Sequence, residues 1–110
     1  MSSESVEVRK NAELDRFELY IDGYLAGVAA YQDTAQERAF VHTEIYPQFE
    51  GLGYGRKIVQ GALDQTRDEG LGILPLCPMV RHFVESRPEY LALVPGWSRE
   101  RLNLPGAARG

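Results

Sequence analysis

The chain has a single cysteine, Cys77, so no disulfide can form within it. It has no apolar run near the ~20 residues that a membrane-spanning helix needs. It has no long basic block, and its formal net charge is −4, which argues against sequence-independent binding to nucleic acid. Its two histidines, His42 and His82, belong to no His, Cys, Asp or Glu cluster with metal-ligand spacing, so no metal is expected. The first residues, Met1-Ser2-Ser3-Glu4, lack the charged and apolar regions of a secretion signal. These absences lead to the expectation of a cytoplasmic protein without membrane or nucleic-acid partners. The 110 residues and 44% apolar content suffice for one domain with a real core.

What is present centres on one stretch, Gln48-Phe49-Glu50-Gly51-Leu52-Gly53-Tyr54-Gly55-Arg56-Lys57. It follows a strand-like run and precedes a helix-like run of about Tyr54 to Glu69. Three glycines at alternate positions let the backbone approach a ligand closely. The first amides of the following helix lack partners and suit an anion. Arg56 and Lys57 fall in the first turn, where the helix dipole disfavours cations by ~0.3–1 kcal/mol each. A phosphate would reverse that sign; the alternative is that both side chains extend into water. The loop therefore points to a phosphorylated cofactor. It is not a Walker loop, because no Gly-Lys-Ser/Thr follows.

Around this stretch the pattern is regular. Val6 to Arg9 reads as a short strand. Arg16 to Ile21 alternates, with Phe17, Leu19 and Ile21 on one face. Asp22-Gly23 signals a hairpin, Tyr24 to Gln32 returns, and Arg38 to Ile45 completes a meander that Pro47 ends. In the helix, Ile58, Val59, Ala62, Leu63 and Thr66 form an apolar stripe. Gly61 reads as a close packing point against the sheet, and Gly70 as the helix stop. Leu71 to Leu76 is a short apolar run, the pattern of a buried parallel strand, with Pro75 where its neighbour diverges. A second helix is expected over Pro78 to Ser86, and one more turn from Pro88 to Val94. The domain is expected over residues 1–97, with 98–110 a fraying tail. The fold class is α+β (mixed α/β): an antiparallel meander, a glycine loop and helix, a parallel strand and a short helix.

Gln48-x-x-Gly51-x-Gly53 after a strand and before a helix resembles the acyl-CoA loop of the GNAT N-acetyltransferase superfamily. A longer set sharpens the likeness: His42-Thr43-Glu44-Ile45, Pro47, Gly51-x-Gly53-x-Gly55, Pro75-Leu76-Cys77-Pro78 and Pro88-Glu89-Tyr90. It is similar to a small single-domain GNAT-like family with a cysteine after the strand that follows the CoA helix. The resemblance covers about Phe17 to Val94. It implies a minimal GNAT fold, acetyl-CoA as the ligand, and acetyl transfer to an amine acceptor that is not defined. By position, the amides of Leu52, Gly53, Tyr54, Gly55 and Arg56, with Gly51 and Lys57 alongside, would hold the pyrophosphate. The backbone of about Thr43 to Tyr46, Thr43 and Ile45 included, would pair with the pantetheine arm. The thioester would lie between the diverging strand ends, with Cys77 at the mouth. Three positions depart from the family pattern: Met79 stands for phenylalanine, Phe83 for tyrosine and Arg87 for histidine. The missing tyrosine hydroxyl bears on any proton-transfer scheme.

Cys77, before Pro78, becomes the N-cap of the second helix, where a thiolate is favoured. It could accept the acetyl group, donate a proton to the leaving thiolate, contact CoA, or simply be a small buried hydrophobe. His42 and Glu44, two apart on a strand, share a face, expected to be that of Phe40, with Ala39, Val41 and Ile45 in the core. Either could serve as general base, or they could form an ordinary polar face. His82, about one turn into the second helix, could reach the thiol or sit at the surface. Tyr90 and Trp97 could line an acceptor pocket or anchor the C-terminal segment. Against the transferase stand two rival expectations, a CoA or acyl-CoA sensor with little turnover and a structural or interaction domain with a vacant glycine loop. A monomer or weak homodimer fits any of them.

Overall fold

A computed structural model describes residues 4–105. Five strands form one sheet in the order β1-β2-β3-β4-β5: β1 Val6–Asn11, β2 Arg16–Ile21, β3 Tyr24–Asp33, β4 Glu37–Ile45 and β5 Gly72–Pro75. The first four are antiparallel neighbours and β5 runs parallel to β4. Alternation sets which face is buried. Phe17, Leu19 and Ile21 of β2 are buried together on one face, where Phe17 packs with Tyr31 and Phe40. The turn between β2 and β3 takes positive φ at Asp22 (50°) and Gly23 (85°), as a tight hairpin requires.

Helix α1, Tyr54–Asp68, lies on this face and buries Ile58, Val59, Ala62, Leu63 and Thr66. Gly61 is a contact point with the sheet: a Cβ there would stand 2.6 Å from a Val8 methyl. Gly70, with φ 78°, follows the end of α1 in the left-handed region. After β5 come α2 (Pro78–Glu85), α3 (Pro88–Leu91) and α4 (Gly96–Arg101). The edge of β5 is not bare, because Ile73 N donates to Leu93 O. The described part of the segment after residue 97 is packed. Ser98 and Leu104 are buried, and Leu104 joins the core cluster, so the fraying expected from residue 98 does not hold through residue 105. Residues 106–110 lie outside the described residues.

One irregularity positions everything that follows. Tyr31 pairs with Phe40 and Ala30 with His42, so Val41 is an extra residue, a β-bulge in β4. The bulge shifts the side-chain phase by one. Phe40, ahead of it, is fully buried, while Val41 is 37% exposed. The expected grouping of Phe40 with His42 and Glu44, and of Val41 with the core, is thereby corrected. Simple alternation fails wherever a residue is inserted in one strand alone.

Candidate functional site

The pairing of β4 with β5 ends at Phe40 and Pro75. Pro75 has no N–H to continue the ladder. The last tie is Cys77 N donating to Phe40 O at 2.7 Å. Beyond it β5 has ended and the chain turns into α2, so β4 loses its strand partner on that side and a gap opens. Tyr46 N donates to Ala26 O at 2.8 Å, so Tyr46 faces β3. Main-chain groups alternate sides along a strand. Thr43 and Ile45 therefore turn their N–H and C=O groups away from β3, into the gap.

The side chains divide by face. Thr43 pairs with Ala29 and Ile45 with Gly27, in register with Phe17 and Leu19, so both look toward α1. His42 pairs with Ala30 and Glu44 with Val28, in register with Arg16 and Glu18 on the opposite face. There His42 Nε2 lies 3.5 Å from Glu44 Oε1, with the two side chains 64% and 53% exposed. Gly27 permits this register. A Cβ on it would stand 2.6 Å from Glu44 O and 2.8 Å from Ile45 Cδ1.

A cavity of about 420 Å³ opens beside the gap, bordered by Thr43, Ile45, Phe49, Gly51, Gly53 and Gly55, with Glu44, Glu50, Tyr54 and Met79 completing its wall. Gly51 and Gly53 have φ of 78° and 83°, and no heavy atom stands within 4 Å of where their Cβ atoms would lie. Gly53 is the N-cap of α1 and brings no side chain to the first amides. The first turn carries no acidic residue either. Tyr54 is anchored by its ring, edge-on to Phe49, and by its hydroxyl, which donates to Glu4 at 2.6 Å. The loop is thus held from behind and open in front. Leu52 is exposed at its tip, and Lys57 is exposed and borders neither this cavity nor the next.

A second cavity of about 190 Å³ adjoins the first and shares Gly55 and Met79 with it. It lies between the first turn of α1 and the α2 stripe Met79, His82 and Phe83, with Arg56, Val59 and Arg87 at its sides. Sequence reasoning weighed His82 only against the Cys77 thiol and did not bring the three α2 residues together at a cavity. The spacing of three and four from Met79 was the available signal, since it sets all three on one helix face.

Cys77 is 4% exposed and lines neither cavity. It is the N-cap residue of α2, yet its side chain makes no capping bond. Its thiol Sγ donates instead to Thr43 Oγ1 at 3.4 Å, across the gap between the strands. Thr43 in turn borders the larger cavity. His82 does not pair with this thiol; it is exposed and its Nδ1 lies 3.2 Å from Glu85. Tyr90 is a buried anchor whose hydroxyl donates to Asp64 at 2.7 Å, while Trp97 is 54% exposed on α4.

The model of the GCN5-related N-acetyl-transferase family matches residues 16–94. The chain belongs to that family. No curated protein matches it. The matched span starts at the first residue of β2 and ends at Val94, so the GCN5-related domain takes in the gap, the glycine loop and both cavities. No helix among the described residues is long and apolar enough to cross a membrane.

Proposed function

We propose that the chain binds acetyl-CoA along the two cavities and transfers the acetyl group to an amine. The observation that carries this reading is the end of the β4–β5 pairing beside the glycine loop. The pyrophosphate is held by the amides of Leu52, Gly53, Tyr54, Gly55 and Arg56, where a helix N-terminus favours negative charge. Gly51 and Gly53 keep the approach clear, and Lys57 adds charge from the surface. The pantetheine arm runs in the gap as an added strand on the free groups of Thr43 and Ile45. That arm places the thioester carbonyl near the Thr43–Cys77 contact. The bound thioester supplies an activated acyl group; the chain supplies its orientation.

Two routes are open from this placement. In the first, the amine nitrogen attacks the carbonyl directly, the C–S bond breaks, and the CoA thiolate leaves with a proton. Cys77, already donating to Thr43, is near enough to give that proton. In the second, the Cys77 thiolate attacks first, CoA leaves, and the amine then takes the acetyl group from sulfur. The base for the amine is Glu44 or His42. Both lie on the sheet face away from α1, so we place the incoming acceptor on that face. The burial of Cys77 favours one second reading: a module that binds CoA or acyl-CoA as a sensor and transfers little.

Intact-protein mass spectrometry after incubation with acetyl-CoA, on the wild type and on Cys77→Ala, separates these. Calorimetric titration with CoA accompanies it. An acetyl adduct that is labile to hydroxylamine and absent from Cys77→Ala supports the acyl-cysteine route. Binding without the adduct leaves direct transfer or the sensor, and turnover with a panel of amines divides those two. Absence of CoA binding sinks the reading of the loop and of the function together.

A further inference from the structure

Glu4 and Tyr54 stand 50 residues apart in sequence, yet the Tyr54 hydroxyl donates to Glu4 Oε2 at 2.6 Å. That length belongs to the strong class of hydrogen bonds with an ionised acceptor. The same bond is the first cause that raises the Tyr54 hydroxyl above its ordinary value. Glu4 is not a loose end. The N–H of its neighbour Ser5 donates to Asp22 Oδ1 at 2.8 Å, and the Asp22 N–H donates back to Ser5 O at 2.8 Å. Glu4 is thereby moored to the β2–β3 turn. Tyr54 is the first residue of α1, directly after Gly53, so its amide is one of those assigned to the pyrophosphate. Its ring packs on Phe49 with 6.3 Å between centroids. Between these two aromatic anchors, Gly51, Leu52 and Gly53 donate no main-chain hydrogen bond among the described residues. Glycine has the most backbone freedom to lose, so the shape of this loop depends on how firmly its ends are held.

We propose that the Glu4–Tyr54 bond is a latch that presets the glycine loop, and that Glu4 is a positioning residue for the ligand although it borders neither cavity. This inference rests on the CoA reading above. A loop that samples several shapes binds with an affinity reduced by the fraction in the competent one. The latch raises that fraction by fixing the first amide of α1 before the ligand arrives. The coupling is reciprocal. A pyrophosphate held on the Tyr54 amide tightens the latch and, through it, the bonds between Ser5 and Asp22. The sign of the effect separates the latch from simple electrostatics. Glu4 is an acid, so its charge alone opposes an anionic ligand, and removing that charge alone would improve binding. Removing the latch weakens binding.

The test is calorimetric titration with CoA of the wild type, Tyr54→Phe, Glu4→Gln and the double variant. Tyr54→Phe keeps the ring on Phe49 and removes only the hydroxyl. Loss of a hydrogen bond to an exposed carboxylate should weaken CoA by about three- to tenfold. Glu4→Gln keeps a neutral acceptor and should fall between the wild type and Tyr54→Phe. The double variant should be no weaker than Tyr54→Phe, because both changes break one bond. In the free proteins, the NMR order parameters of the Gly51, Gly53 and Gly55 amides should drop in each variant. In the wild type CoA should slow hydrogen exchange at the Asp22 amide, and in Tyr54→Phe it should do so less; a role in stability alone would not move that difference. Glu4 is exposed, so its variant keeps the test open if Tyr54→Phe folds poorly. Wild-type CoA affinity in both single variants, or tighter binding by Glu4→Gln, overturns the latch and leaves the CoA reading standing. A double variant whose loss is the sum of the two single losses overturns it too. If the wild type binds no CoA, the CoA reading has failed and the inference falls with it.

Discussion

Strand β4 is two strands in its physics, joined at Val41. Ahead of the bulge it is paired on both sides and closed. Arg38 there is 1% exposed, and its guanidinium bonds Asp33 at 2.7 Å, Glu69 at 2.9 Å and Thr66 at 3.3 Å while lying 4.4 Å from the Tyr31 ring centroid. Past the bulge the same strand is paired on one side only, and Thr43 and Ile45 offer main-chain groups to a gap. A buried main-chain group needs a partner. The closed half finds its partners in the protein; the open half has no strand partner on its β5 side among the described residues. One inserted residue therefore separates the part of β4 that holds the fold from the part that can hold a substrate.

The sharpest way to break this division is on the closed side. Arg38→Met leaves Asp33 and Glu69 facing an apolar side chain and removes the link from β4 to the end of α1. The carboxylates left behind are 38% and 36% exposed and regain part of their hydration, so the loss of these charge-assisted bonds is expected at about 1.5–3 kcal/mol. Denaturant unfolding should show that loss in the midpoint. CoA affinity of the molecules that remain folded should not change. A large fall in affinity at unchanged stability would show that the two halves are not separate.

Gly27→Val should damage both halves. Its side chain has no room against Glu44 O and Ile45 Cδ1, so β4 must move where its free groups stand. Overpacking of this kind costs about 1–3 kcal/mol, and CoA titration should weaken in step with the thermal midpoint. Gly53→Ala should separate them the other way. The φ of 83° disfavours any L side chain by about 1–2 kcal/mol, yet the surrounding space is empty. Affinity for CoA should fall by roughly tenfold or more as the loop amides turn away, a larger effect than the thermal midpoint registers.

Acid should act on the closed half first. The Arg38 hydrogen bonds hold the Glu69 carboxyl at about 2, against an ordinary value of 4.5, with Lys10 adding to the effect and burial opposing it. A depressed carboxyl stabilises the fold fully above its unfolded value, and that contribution is lost as pH falls. The loss should therefore run from about 4.5 down to about 2. Glu69→Gln should be less stable than the wild type at neutral pH and should lose less of its stability across that window. Equal slopes for the two in denaturant unfolding would remove Glu69 from the account. Its side chain is 36% exposed, so solvent screening keeps this effect below that of Arg38→Met.

The two halves also differ in how legible they were. Local chemistry wrote the elements plainly: the Asp22-Gly23 turn, Pro47 after β4, the α1 stripe and Pro78 opening α2 were all readable from residue type and spacing. The close packing of Gly61 on the sheet followed from a glycine in the middle of a helix, while Val8 as its neighbour came only with the structure. The glycine loop was legible for the same reason, since its conformation needs those residues. The bulge was not legible. Val41 looks like any apolar strand residue, and its displacement is set by the pairing of β3 with β4, which no local pattern records. Every misplaced side chain of β4 follows from that one residue. The packing of Leu104 was hidden too, because Pro, Gly and Ala near the terminus read as loose chain while one buried leucine is enough to dock it. The α2 side of the smaller cavity needed the packing of α2 on α1.

The smallest expected effect on stability belongs to the face that the bulge exposed. His42 and Glu44 touch mainly one another and water, and substitutions at such sites stay within about 0.5 kcal/mol. Glu44→Gln should therefore melt with the wild type, and it should bind CoA as the wild type does, because its carboxylate points away from α1. If the acceptor arrives on that face, the rate of acetyl transfer should still fall, by about a hundredfold for a general base. A variant with unchanged stability, unchanged CoA affinity and a collapsed rate would locate the acceptor on the face opposite the helices. A rate equal to the wild type at every pH would return Glu44 to the ordinary surface and leave His42→Gln as the remaining test of a base on this strand.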